Sequence, residues 1–229
     1  LQLRELPDSM IIIGGGYIGV EFAQMYSRFG TEVTLFGRAS RLMKKEEPEL
    51  SEELAEILRK EGIKVYTSAE VVRTGKEMGK RFVIARIDGV EQKFESMEIL
   101  LAAGRVARVD GLNLGQTGID TVGDFIKVDD QLMTTSENIW SIGDANGGHM
   151  FTHRATYDGP IAALNSVRQA GKKVDYRIVP RAVFSEPSLA SVGMTEAEAK
   201  QAGHDVKTGQ AYFKNSGRAK AIAQTEGLA

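Results

Sequence analysis

The sequence predicts an α/β fold that opens on a parallel sheet, and three observations carry this. Met10-Ile11-Ile12-Ile13 is a short continuous apolar run, the pattern of a strand buried on both faces. It enters Gly14-Gly15-Gly16 directly, and a stretch with helical spacing follows. Two further apolar runs, Val33-Thr34-Leu35-Phe36 and Ile63-Lys64-Val65-Tyr66, come after glycines that end helical stretches. Strand, helix, strand, helix, strand is the order of stacked βαβ units.

Each element has its own signal. The first helix repeats Ile18, Phe22, Met25 and Phe29 on one face, and Gly30 stands where a C′ glycine belongs. The second helix has Pro48 in its first turn, an apolar stripe of Leu50, Leu54, Ile57 and Leu58, and Gly62 at its end. From Val71 to Phe94 apolar residues alternate with charges and glycine, as in an antiparallel meander. Ile99-Leu100-Leu101-Ala102 reads as one more buried strand that closes the domain. Past Asp110-Gly111 a buried strand over Ile139-Trp140-Ser141-Ile142 is expected, then a helix through Ile161, Leu164 and Val167. Gly159-Pro160 should kink that helix or delay its start. Strand-like runs near Val183 and Val192 follow, and Thr195-Glu196-Ala197-Glu198 has capping-box spacing for a short helix stopped by Gly203.

Composition bounds the function. The 229 residues are 42% hydrophobic and 26% charged, ordinary for a soluble globular protein, here expected to be cytoplasmic. A net charge of -2 offers no field for nucleic acid or an anionic membrane. No apolar run approaches a membrane span, and no signal-peptide pattern opens the chain. Cysteine is absent, which excludes disulfides, zinc-thiolate sites and thiol nucleophiles within these residues. His149 and His153, four apart, lack the further ligands of a metal site, and none is expected. Opening on Leu1 and ending without a stop signal, the sequence reads as a piece of a longer chain.

Gly14-x-Gly16-x-x-Gly19 lies between a strand and a helix, the context that makes this spacing informative. The first glycine permits the tight turn and the second lets backbone approach a pyrophosphate. The third lets helix pack on strand, with the helix N-terminus facing the phosphates. The bland alternative is a glycine-rich turn that binds nothing. An NAD site would place an acid near Gly37, at the end of the second strand, to meet the ribose 2′-hydroxyl. No acid stands there; Arg38, Arg41, Lys44 and Lys45 follow, which suits the 2′-phosphate of NADPH, with NAD as the lesser expectation. The alternative is a solvated loop balanced by Glu46 and Glu47.

Thr135-Ser136 and Ile139-Trp140-Ser141-Ile142-Gly143-Asp144 resemble the second flavin-binding motif of the pyridine nucleotide-disulfide oxidoreductases. This family includes dihydrolipoamide dehydrogenase, mercuric reductase and glutathione reductase. Gly14-Gly15-Gly16-Tyr17-Ile18-Gly19-Val20-Glu21 resembles its NAD(P) fingerprint, and Ala103-Gly104-Arg105 its turn out of the nicotinamide domain, with Ala for the usual Thr. Val179 to Pro187, with Ala190-Ser191-Val192-Gly193, is similar to the entry into its dimerisation domain.

The resemblance implies a Rossmann-type NAD(P)-binding domain with a meander over 1–108. The C-terminal part of an FAD-binding domain would cover 109–175, and a truncated α+β dimerisation domain 176–229. It implies that Asp144 hydrogen-bonds the FAD ribitol, that Gly143 lets the cofactor come close, and that the helix start at Thr152 and His153 faces the flavin. It implies that Tyr17 covers the flavin until nicotinamide displaces it, that Glu21 lies beside the nicotinamide, and that Arg38 and Lys44 hold the 2′-phosphate. The implied activity passes hydride from NADPH to FAD and electrons on to a disulfide-type acceptor, in a homodimer. The family's Cys pair and His-Glu pair match nothing in this sequence, so no catalytic residue is expected in it, and it should be inactive alone. Three rivals are a low-molecular-weight thioredoxin reductase, a thiol-independent flavoprotein NAD(P)H dehydrogenase, and a non-catalytic NADPH-binding module. The missing Cys argues against the first, and the Pro180 to Gly193 pattern against the second.

Overall fold

In the computed structural model, which describes residues 3–229, the chain forms two compact units. The first combines Leu1–Gly104 with Ala182–Ala229, and the second is Arg105–Arg181. The first opens with β1 (Ser9–Ile13), α1 (Tyr17–Arg28), β2 (Glu32–Phe36), α2 (Pro48–Lys60) and β3 (Lys64–Tyr66). A meander of β4 (Glu70–Glu77), β5 (Lys80–Ile87) and β6 (Val90–Ser96) leads to β7 (Glu98–Leu101). The parallel sheet has the order β3-β2-β1-β7, with Ile11 between Thr34 and Ile99; β4, β5 and β6 form a separate antiparallel sheet.

Strand alternation divides the core in two. Met10 and Ile12 join Val20, Ala23, Leu54 and Leu58 of the helices, while Ile11 joins Phe36, Val83 and Ala85 on the meander side. Phe36, Tyr66 and Phe94 seal that side with ring centroids 4.9–5.3 Å apart. The expectation of a first strand covered on both faces is met.

Two details differ from the sequence reading. The buried stripe of α1 is Gly19, Val20, Ala23 and Gln24, whereas Met25 is exposed and Phe29 is 62% exposed. Helix α1 sits so close to the turn that only its small-residue side fits, and bulk at 25 and 29 is turned outward. Strand β7 pairs only with β1 among the described residues, and Leu101 is exposed rather than buried.

The second unit holds a short helix α3 (Leu114–Thr117), a hairpin of β8 (Thr121–Val122) and β9 (Phe125–Ile126), and the long α4 (Thr152–Arg168). The strand expected at 139–142 does not form. Its backbone makes one bridge, Met133 to Trp140, with Thr134 N donating to Ile139 O and Ser141 N to Leu132 O. With no second neighbour among the described residues, it has no ladder to extend. Helix α4 is not delayed by Pro160, which lies within it. The preceding residue is glycine, which has no Cβ to meet the proline ring, so the helical conformation survives there.

The tail, β10 (Arg181–Val183), β11 (Leu189–Ser191), α5 (Glu196–Gln201) and α6 (Gly217–Ala221), returns to the first unit. A dimerisation domain truncated as the sequence implies would leave the inner face of Val183, Phe184, Leu189 and Val192 short of cover and the tail mobile or paired with another copy. The structure corrects half of this. Val183 and Leu189 are buried in the same cluster as Met10 and Val20, while Phe184 (81%) and Val192 are exposed. Buried Gln24 fastens the tail by donating to Glu186 O (2.8 Å) and accepting from Glu186 N (2.7 Å). The capping box forms as expected, with Thr195 and Glu198 exchanging bonds and Gly203 following the helix in a left-handed conformation.

Candidate dinucleotide and flavin sites

The glycine turn has no room for side chains where the chain must be tight. A Cβ on Gly14 would stand 2.2 Å from Ala102 O, and one on Gly19 would stand 1.7 Å from Gly14 O. Gly16 differs: a Cβ there would meet nothing within 4 Å. It caps α1, a helix of 12 residues without an acid in its first turn. The first turn of a helix points its N–H groups along the axis toward its N-terminus, so an anion above Gly16 meets open space and the positive end of the helix dipole. These residues fit a dinucleotide pyrophosphate. The Glu21 carboxylate, expected beside nicotinamide, accepts the Phe184 N–H at 2.9 Å.

At the end of β2, Gly37 is buried and donates its N–H to Tyr66 O (2.8 Å). Arg38, Lys44 and Lys45 are exposed and carry no ion pair among the described residues. Arg41 is held by its own loop, donating to Lys44 O at 3.0 Å. The balancing role considered for Glu46 and Glu47 is not what they do. Glu46 is 1% exposed and accepts from the hydroxyls of Tyr17 and Ser191, while Glu47 accepts from Glu196 N at 2.6 Å. The loop therefore presents cations outward with its two acids directed elsewhere.

In the second unit, Gly143 turns the chain at φ +64, and a Cβ there would stand 2.9 Å from Ala155 Cβ. Asp144 forms an ion pair with Arg105, both near half exposed (48% and 46%), so two of the expected site residues are neighbours. Gly104 sits at φ +146 at the end of the first unit. Helix α4 begins at Thr152 and His153 with no side-chain cap and no acid in its first turn. The His153 ring lies on Phe151, and its Nε2 contacts Pro180 O at 2.7 Å. Asp144 with the uncapped N–H groups of α4 fits a polyhydroxylated, anion-bearing cofactor.

Sequence reading missed the network beneath Gly143. Asp158 is fully buried and accepts the Gly143 N–H at 3.1 Å. Arg154 donates to the carbonyls of Gly143 and Gly147 and to Tyr176 Oη, and its Nε lies 3.2 Å from Asp158 without hydrogen-bond alignment. Tyr176 donates to Asp158 Oδ1 at 2.7 Å, and burial pushes its phenol up to about 12, so it remains a donor at ordinary pH. The i, i+4 spacing of Arg154 and Asp158 was the available signal.

A glycine turn on a parallel sheet, with a helix N-terminus above it, defines a dinucleotide-binding α/β protein. This chain belongs to the pyridine nucleotide-disulphide oxidoreductase family, whose model matches residues 1–159, while the model of the family's dimerisation domain matches 179–229. It is 36% identical over 230 residues to a mercuric reductase of Bacillus cereus, covering 100% of this chain and 36% of that protein. It is 36% identical over 233 residues to a dihydrolipoyl dehydrogenase of Bacillus subtilis, covering 100% of this chain and 48% of that protein. Among solved structures it matches RclA, an HOCl-induced flavoprotein disulfide reductase of Escherichia coli, at TM-score 0.87 and 33% identity, over 99% of this chain and 52% of that one. LpdA of Mycobacterium tuberculosis, 24% identical with TM-score 0.88 over 99% of this chain and 49% of that one, shares the fold. The chain thus spans about half or less of the length of these proteins. No helix among the described residues is long and apolar enough to cross a membrane, and none of their His, Cys, Asp and Glu side chains cluster in threes as metal ligands.

Proposed function

We propose that this chain supplies the nicotinamide site, part of the flavin site and part of the dimer contact of an FAD-dependent NAD(P)H oxidoreductase. Its acceptor would be of the disulfide type, as in a dihydrolipoamide dehydrogenase-like enzyme. The working division is 1–108 for NAD(P), 109–175 for FAD and 176–229 for association into a homodimer. When bound, the two cofactors supply hydride and electron transfer, while the residues of this chain bind and orient them. Gly14, Gly16 and Gly19 shape the turn, and the N–H groups of Tyr17 and Ile18 hold the pyrophosphate. Glu21 and Gly104 border the nicotinamide. Gly143 admits the flavin, Asp144 accepts hydrogen bonds from its ribitol with Arg105 as neighbour, and the α4 N–H groups at Thr152 and His153 stabilise negative charge.

NADPH is the preferred nucleotide in this reading, and one observation carries it: the end of β2 has no acid, and the cations after it have no partner acid among the described residues. Arg38 and Lys44 then hold the 2′-phosphate, with Arg41 shaping the loop. We expect calorimetric titration to give at least about tenfold tighter binding of NADPH than NADH, the worth of one charge-assisted contact. The double change Gly37→Glu with Arg38→Ala should reverse the order. Equal or tighter NADH binding by the unchanged chain would overturn the preference.

A further inference from the structure

The loop that bears the cations is fixed from below. Met43 N donates to Gly15 O at 2.8 Å, with Met43 itself in a left-handed conformation at φ +48. Leu42 packs on the glycine turn, where a Cβ on Gly15 would stand 2.8 Å from Leu42 Cδ2. Glu46 completes the arrangement. Its buried carboxylate receives one hydroxyl from Tyr17, the first residue of α1, and a second from Ser191 at the end of β11. A buried carboxylate needs such donors, because without them it regains solvation by turning outward or must take up a proton.

Outward is where Lys44 and Lys45 stand, two residues and one residue away in the chain. A carboxylate among them would neutralise the charge and repel a phosphate. We propose that Ser191 is a specificity-determining positioning residue: by holding Glu46 inward it keeps an acid out of the 2′-phosphate site. The segment matched as dimerisation domain thereby sets the nucleotide choice of a loop some 145 residues earlier. This rests on the NADPH reading above.

The test uses the whole chain, with NADPH and NADH titrated separately into the unchanged protein, Ser191→Ala, and Ser191→Ala with Glu46→Gln. Ser191→Ala should weaken NADPH binding about fivefold to tenfold while changing NADH binding less than about twofold, since only NADPH carries the phosphate. Adding Glu46→Gln should restore NADPH binding, because a neutral amide cannot neutralise the loop wherever it points. General damage to the fold would weaken both nucleotides together, would not be rescued by the second change, and would overturn the proposal. An unchanged protein that prefers NADPH, with a preference Ser191→Ala does not move, overturns this inference alone. An unchanged protein without the preference overturns the phosphate reading, and this inference with it.

Discussion

Gly19→Ala is expected to destabilise the first unit by about 3 kcal/mol or more and to abolish nucleotide binding. The added carbon would stand 1.7 Å from Gly14 O, far inside contact distance, and both partners are backbone. Neither can rotate away as a side chain would. Relief requires moving α1 off the sheet, which opens the packing of Val20 and Ala23 on Met10 and Ile12. Gly16→Ala is the informative companion. Its methyl meets nothing within 4 Å, and its φ of -93 is open to any residue, so the melting temperature should hardly move. That methyl would, however, stand where a pyrophosphate approaches the helix N-terminus, and affinity for both NADPH and NADH should fall about tenfold or more. Thermal melting and calorimetry on the two variants separate the roles. A Gly19→Ala protein that melts and binds like the parent would disprove this account of the turn.

Asp158→Ala should be the most damaging change in the second unit, at about 3–5 kcal/mol, because it strands Arg154 as a buried charge and leaves Gly143 N–H without its acceptor. For a chain of this size that corresponds to a loss of roughly 10 °C or more in melting temperature. Tyr176→Phe removes a hydroxyl that accepts from Arg154 and donates to Asp158, and should cost about 2–3 kcal/mol because both partners are charged. Asp144→Ala should cost less than about 1 kcal/mol, since its pair with Arg105 is half exposed. Stability and flavin affinity should therefore part company. Asp144→Ala should bind FAD more weakly in the intact enzyme at near-normal stability, whereas Asp158→Ala should lose both. Chemical denaturation of the three variants checks the order, and a Asp158→Ala protein as stable as Asp144→Ala would refute it.

The βαβ core was legible because its signals are local. An apolar run, a glycine turn and a Pro48 helix start each state their structure within a few residues. The stripe of α1 was misjudged because hydrophobicity pointed to Phe29 and Met25, while steric closeness to the turn selected Gly19 and Ala23. The 139–142 strand was misread because an apolar run states that a segment is buried or paired, and not whether a neighbour is within reach. The roles of Glu46 and Asp158 were hidden for another reason. Each depends on donors remote in the chain, Tyr17 and Ser191 for one and Gly143 and Tyr176 for the other, and no window of sequence contains those pairs. The cations at 38, 44 and 45 were visible, but their freedom from Glu46 and Glu47 was not.

Val183 and Leu189 complete a core begun by Met10 and Val20, and this has a consequence for how the chain matures on the ribosome. The βαβ segments emerge before the tail and can form their sheet by contacts among near neighbours. The strands that finish the same core emerge only after the whole second unit has been made, a wait on the order of ten seconds at ordinary synthesis rates. During that interval Gln24 has no Glu186 to bond and the helix surface it occupies stays wet. Closure across so long an intervening segment is slow relative to local folding. The nascent nucleotide unit therefore passes through an open stage of defined length, in which chaperones have a surface to hold and proteases a chain to cut.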